Sequence, residues 1–176
     1  MTTETIKTTA KRQHGVSVHR RCMIDIAKYK DESYDVLGAL YNVKRELGPG
    51  LNEKVYQEGL MLELQMSDIP FEKEKAFHPV YRGKSMDSIF YLDFLCKGTI
   101  IVELKSVVSL SKDHRAQLFN YMHLVKPHTG ILVNFAPRFV EIERYYYDCD
   151  ADQILKTDGT AIKNKYDDYI TINQTR

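Results

Sequence analysis

Asp93, Glu103 and Lys105 are three charges set inside two otherwise apolar runs of the segment Ser88–Val107, SIFYLDFLCKGTIIVELKSV. A buried carboxylate is expensive unless it is paired, hydrogen-bonded or bound to a metal. Two carboxylates and a lysine on one sheet face therefore suggest a site. Hard oxygen donors without histidine or cysteine suit Mg²⁺ or Mn²⁺. Such an ion lowers the pKa of a water and takes up charge on a phosphoryl oxygen. In this scheme Asp93 and Glu103 bind the ion, and the carbonyl of Leu104 adds an oxygen from the same strand. Lys105 orients the attacking water or stabilises the developing negative charge. Glu53 completes the metal shell or binds a second ion, and Gln117 and Tyr121 hold a phosphate or the nucleophile.

Simpler roles compete with these. Glu103 and Lys105 alone would make a surface ion pair worth little. The apolar setting IIVELKSV argues against exposure. Asp93 alone would be a strand-end acid satisfied by a backbone donor. Glu53 alone would be a first-turn helix acid favoured by the dipole, and Gln117 and Tyr121 would lie on a helix face at the core boundary.

The elements that must position these groups follow from periodicity. Lys97-Gly98 marks a hairpin between strands Ser88–Phe94 and Thr99–Val107. Glu103 and Lys105 share a face because strand side chains alternate. A two-residue turn would put Asp93 on the wrong face. A three-residue loop, Cys96-Lys97-Gly98 with Gly98 left-handed, shifts the parity and sets Asp93 diagonal to Glu103. Tyr34, Leu37, Leu40, Tyr41 and Val43-Lys44 space as a helix ending at Gly48-Pro49-Gly50. A second helix runs from about Asn52, its N-cap, to Met66, with Val55, Gly59, Leu62 and Met66 as its apolar stripe. Phe71–Tyr81 reads as a strand. A helix capped by Ser111 or Asp113 runs to about Lys126 before Pro127. Gly130–Phe135 reads as a buried strand and Val140–Tyr147 as an outer one. The order α-α-β-β-β-α-β-β implies an α/β sandwich with a mixed sheet flanked by helices.

The chain has 176 residues and a formal charge of +1, enough for one domain with a core and without a global basic field. Residues 1–31 read as a mobile basic arm, 32–147 as the domain and 148–176 as a polar, acidic tail. Cys22, Cys96 and Cys149 are far apart, which fits free thiols in a reducing cytosol and no zinc or iron–sulfur site. No apolar leader and no run of membrane-spanning length is present. If the chain self-associates, a homodimer through strand Val140–Tyr147 or the first helix is expected, because an exposed tyrosine-rich edge can pair.

Asp93 followed by Glu103-Leu104-Lys105 resembles the PD-(D/E)XK nuclease signature. More specifically, the chain resembles the GxxExxY proteins within that superfamily. The naming motif stands as Gly50-Leu51-Asn52-Glu53-Lys54-Val55-Tyr56 after Leu47-Gly48-Pro49. Pro79-Val80-Tyr81-Arg82-Gly83, Gln117-Leu118-Phe119-Asn120-Tyr121 and Leu132-Val133-Asn134-Phe135 also match. Lys44 stands where the family often has histidine, Ala136 where it often has glycine, and Leu92 in place of the proline of the superfamily name. The resemblance implies a restriction-endonuclease-like fold, and the helix glutamate with Gln-x-x-x-Tyr is similar to RecB-like nucleases. It leads to a Mg²⁺- or Mn²⁺-dependent nuclease acting on nucleic acid, DNA ahead of RNA, in repair, recombination or defence. The alternatives are a silent nucleic-acid-binding or protein-interaction module with the same fold, and a hydrolase of small phosphoesters.

Overall fold

The computed structural model describes residues 24–162. In chain order the elements are α1 Ile26–Glu32, α2 Tyr34–Leu47, α3 Glu53–Met66, β1 Phe71–Phe77, β2 Val80–Tyr81, β3 Lys84–Ser85, β4 Phe90–Cys96, β5 Ile100–Lys105, α4 Lys112–Val125, β6 Thr129–Asn134, β7 Glu141–Asp148 and β8 Gln153–Lys156. A six-stranded sheet has the order β1-β4-β5-β6-β7-β8, and β2 pairs β3 in a separate small hairpin. The β5–β6 pair is parallel and the other neighbours are antiparallel. Parallel neighbours need a crossover, which α4 supplies. Strands β5 and β6 are buried on both faces almost throughout, as central strands are. This is the α/β architecture, a mixed sheet flanked by helices, that the sequence pattern implies.

Two apolar layers fill the two faces. Val36, Leu40, Tyr56, Leu60 and Leu64 of α2 and α3 pack on Phe94, Val102, Leu104 and Val133. Leu118, Phe119 and Met122 of α4 pack on Leu95, Ile101, Leu132 and Tyr145. Helix α3 starts where Asn52 accepts the N–H of Val55 on its side chain, satisfying a donor that the first turn leaves free. Its buried stripe is Tyr56, Leu60 and Leu64, whereas Leu62 and Met66 of the expected stripe are exposed. Gly59 faces α2: a Cβ there would meet Leu47 Cδ1 at 2.8 Å. The small residue lets the helices approach, and the bulky neighbours one position on fill the core.

Several expectations need correction. Strand β7 is not an outer strand: β8 pairs along it, and Tyr145, Tyr146 and Tyr147 are buried. The pairing covers Tyr145–Asp148, and Glu141–Arg144 have no partner strand on that side. The sheet continues to Lys156, beyond the start of the expected acidic tail, and α1 begins inside the expected basic arm. Residues 1–23, with Cys22, and 163–176 lie outside the described residues. Phe71–Tyr81 is two strands, because β2 turns back into β3 through Arg82 and Gly83, both left-handed. Tyr34 and Tyr41 of α2 are exposed rather than part of its buried face. No helix among the described residues is long and apolar enough to cross a membrane.

Candidate active site

The β4–β5 turn sets the geometry of the three charges. Cys96 pairs with Ile100, so the loop is Lys97-Gly98-Thr99, one residue later than the expected Cys96-Lys97-Gly98. Lys97 and Gly98 are both left-handed, at φ 52° and 70°. The N–H of Thr99 bonds the carbonyl of Cys96, which fits a type I′ turn followed by one extra residue. The pairing continues through Leu95–Ile101 to Phe94–Val102 and stops there. The next step of that register sets Asp93 directly opposite Glu103, where the sequence reading had it diagonal.

The ladder stops because Asp93 takes over. Its Oδ2 accepts the N–H of Leu104 at 2.8 Å, a donor that a regular ladder would use between strands. Phe94 points into the layer under α2 and α3, but Leu92 points into the layer under α4. In a regular strand residues two apart share a face, so β4 reverses faces around Asp93. The neighbouring strand does the same. Glu74 of β1 stands beside Asp93 with φ 50° and no ladder partner between the pairs Lys73–Phe94 and Lys75–Leu92. Phe71 packs with the first layer and Phe77 with the second. A left-handed non-glycine residue costs on the order of 1 kcal/mol or more, and here it borders Asp93.

Glu103 and Lys105 share a face, as expected. The ammonium of Lys105 donates to Glu103 Oε1 at 2.7 Å. Glu103 is only 2% exposed, and its second oxygen, Oε2, is buried without any hydrogen-bond partner. Burial and the neighbouring Asp93 push the Glu103 carboxyl up to about 7, against the pull of Lys105. Burial also raises Asp93 above the usual carboxylate range. The Leu104 N–H and Lys105 oppose this, and the charges of Glu53 and Glu74 add to it. Burial works against the Lys105 ammonium, but Glu103, Glu53 and Asp93 together raise its pKa, so it stays charged.

Helix α3 approaches this cluster with its first turns. Gln57 donates its side-chain amide to Asp93 Oδ1 at 3.0 Å. Glu53, one turn earlier and half-buried, acts through its charge on Asp93, Glu103 and Lys105. Among the described residues it makes no hydrogen bond with them. Tyr56 does not join the site. It is fully buried, stacks on Phe135 at 4.6 Å, donates to the Gly48 carbonyl and accepts the Leu51 N–H. It thereby fixes the Gly48-Pro49-Gly50 loop, from which α3 starts. Ser106, just after Lys105, donates to the Leu51 carbonyl at 2.6 Å, which joins that loop to the end of β5.

Gln117 and Tyr121 bond each other at 3.0 Å. Tyr121 is buried beside Phe90, and no hydrogen bond joins either residue to Asp93, Glu103 or Lys105. The Leu104 side chain is fully buried; its N–H is the group Asp93 grips. Asn134 ties the segment after β5, accepting from Val107 and donating back to its carbonyl. Lys44 turns inward and donates to the carbonyls of Phe135 and Pro137 at 2.5 and 2.7 Å, so it braces the turn after β6. The sequence reading missed Gln57, although its spacing of one turn from Glu53 places it on the same side of the helix.

Among the described residues no three of His, Cys, Asp and Glu converge into a ready metal cage. Mg²⁺ seldom needs one: it is held through one or two carboxylates, keeps several waters and takes substrate phosphate oxygens. A buried carboxylate oxygen without a hydrogen-bond partner, on an acid that feels the charge of a second one, fits that requirement. The arrangement has an acidic pair for a hard cation and an adjoining fixed ammonium, which is what phosphoryl chemistry uses.

The family model of the PD-(D/E)XK nuclease superfamily matches residues 30–145, which include every residue of the site. A solved structure described as "Crystal structure of SSO0001" is 21% identical with a TM-score of 0.43, over 68% of this chain and 59% of that one. The chain thus spans less than two thirds of that relative. None of the curated proteins matches.

Proposed function

The chain belongs to the PD-(D/E)XK nuclease superfamily, and we propose that it is a Mg²⁺- or Mn²⁺-dependent nuclease that hydrolyses phosphodiester bonds of DNA. The buried Oε2 of Glu103 carries this reading: it has no hydrogen-bond partner, on a carboxyl that feels the charge of Asp93 and holds the Lys105 ammonium through its other oxygen. A native fold rarely leaves such an oxygen orphaned without a function. Asp93 and Glu103 hold the ion, with the Leu104 carbonyl beside them and Glu53 adding negative charge from α3. When bound, the metal supplies Lewis acidity at the phosphoryl group and a more acidic water. Lys105, kept cationic by three carboxylates, would stabilise the charge that develops on the phosphoryl oxygens. The Tyr121 hydroxyl accepts from Gln117, so its own proton is free for a phosphate oxygen.

Within the superfamily we assign the chain to the GxxExxY proteins. The motif has a physical unity that supports this. Tyr56 pins the glycine loop, from which α3 starts with Glu53 as its first residue. The catalytic unit is residues 32–147 together with strand β8.

The test is an assay with Mg²⁺ and Mn²⁺ on long duplex DNA, single-stranded DNA, RNA and nucleotides. Wild type should cut DNA, and Lys105→Ala should fall by about 10²–10³ in rate while keeping its fold. A folded wild type that cuts none of these with either ion overturns the enzyme reading. Cleavage of nucleotides alone would make it a small-phosphoester hydrolase.

A further inference from the structure

Resting on that reading, we propose that Gln57 is a positioning residue: a neutral side-chain donor that fixes the Asp93 carboxylate for the metal and locks α3 onto the splayed hairpin. Asp93 is held from two sides by two separate elements. The Leu104 N–H of β5 takes Oδ2 at 2.8 Å, and the Gln57 amide of α3 takes Oδ1 at 3.0 Å. A carboxylate oxygen has two lone pairs. Each of these donors uses one and leaves another directed away from it for a cation.

The choice of an amide has a physical reason. Asp93 sits half-buried among Glu53, Glu74 and Glu103, whose charges repel it. Unheld, it would swing toward solvent. A lysine or arginine at position 57 would also hold it, but a fixed positive charge against Asp93 would repel a divalent cation. An amide restrains the carboxylate and leaves its charge uncompensated. The same bond crosses from α3 to β4. Glu53, one turn before Gln57, is therefore brought over the hairpin by a contact independent of the Tyr56 anchor on the glycine loop.

The test is Mn²⁺ binding by calorimetry on the full chain without nucleic acid, for wild type, Gln57→Met and Gln57→Ser. The methionine keeps the length of the side chain and removes its donor. Gln65→Met, the same change at an exposed glutamine of α3, is the control. Loss of a group that orients a metal ligand costs about 10–100-fold in affinity, so both position-57 variants should bind Mn²⁺ at least about 10-fold more weakly. The control should match wild type. The metal concentration for half-maximal cleavage should rise by the same factor, and saturating metal should restore most of the rate, because Gln57 touches Asp93 and not the reacting atoms. If wild type binds Mn²⁺ and cuts DNA while both variants bind as tightly as wild type, the role of Gln57 falls and the nuclease reading stands. If saturating metal leaves the rate as low as before, Gln57 acts on the reaction itself and the positioning role is wrong. If wild type binds no Mn²⁺, the metal site falls and the role of Gln57 with it.

Discussion

Glu103→Gln should make this protein more stable without metal and less stable with it. Glu103 is 2% exposed, and one of its oxygens has no partner. Its carboxyl titrates at about 7 against an ordinary 4.5, because burial and Asp93 penalise the anion. An acid whose folded pKa is raised favours folding while protonated, below its unfolded value, and loses that contribution as pH climbs through the folded one. The window here runs from about 4.5 to about 7. Above it the gap corresponds to about 3 kcal/mol against the folded state. The attraction of Lys105 is already contained in that gap, and a glutamine carbonyl still accepts its proton. The net gain from Glu103→Gln at pH 8 in EDTA should be about 1–3 kcal/mol, or several degrees of Tm. It should vanish by about pH 4, where the wild-type carboxyl is protonated both folded and unfolded. Mg²⁺ at about 1,000 times its Kd would stabilise wild type by about 4.1 kcal/mol and the variant far less, so the order should invert. Thermal unfolding at pH 4 and 8, with EDTA and with Mg²⁺, measures all four corners. A variant less stable than wild type in EDTA at pH 8 would refute the claim that Glu103 Oε2 is an uncompensated anion.

Two further substitutions probe how α3 is aimed. Glu53→Gln should weaken both Mn²⁺ affinity and cleavage, while the Tm in EDTA moves by no more than the roughly 0.3–1 kcal/mol of a first-turn acid on the helix dipole; unchanged affinity and cleavage would leave Glu53 a capping residue. Tyr56→Phe should cost about 1–3 kcal/mol by orphaning the Gly48 carbonyl and the Leu51 N–H, and amide exchange at Leu51 should rise; an unchanged exchange rate would mean the loop is held without the tyrosine.

The legible parts of the fold were those with strong local signals. Helix α3 begins at its Asn52 cap, α4 begins after Ser111, and β6 reads from a run that is apolar on both faces. Residues whose burial depends on distant neighbours misled. Leu62 and Met66 have the spacing of a stripe, but Gly59 lets α3 close on Leu47, and the bulk is then supplied by Tyr56, Leu60 and Leu64. Tyr145-Tyr146-Tyr147 alternates like an outer strand until β8, a four-residue strand in a polar stretch, covers its edge. Neither contact leaves a trace in local periodicity.

The site divides along the same line, and the division explains its chemistry. Glu103 and Lys105 were legible because two residues on one strand share a face whatever else happens. Asp93 was legible only in kind. Its placement depends on a turn one residue later than expected and on a reversal of faces that runs through two strands, at Asp93 and at the left-handed Glu74. That reversal interrupts the ladder and frees the Leu104 N–H for the Asp93 carboxylate. A regular hairpin would satisfy its own backbone and leave Asp93 without a donor on β5. The irregularity is therefore what gives the Asp93 carboxylate its backbone donor on β5. Gln57 shows the same logic from the helix side: its spacing from Glu53 is visible in the chain, but its partner exists only once β4 has turned over.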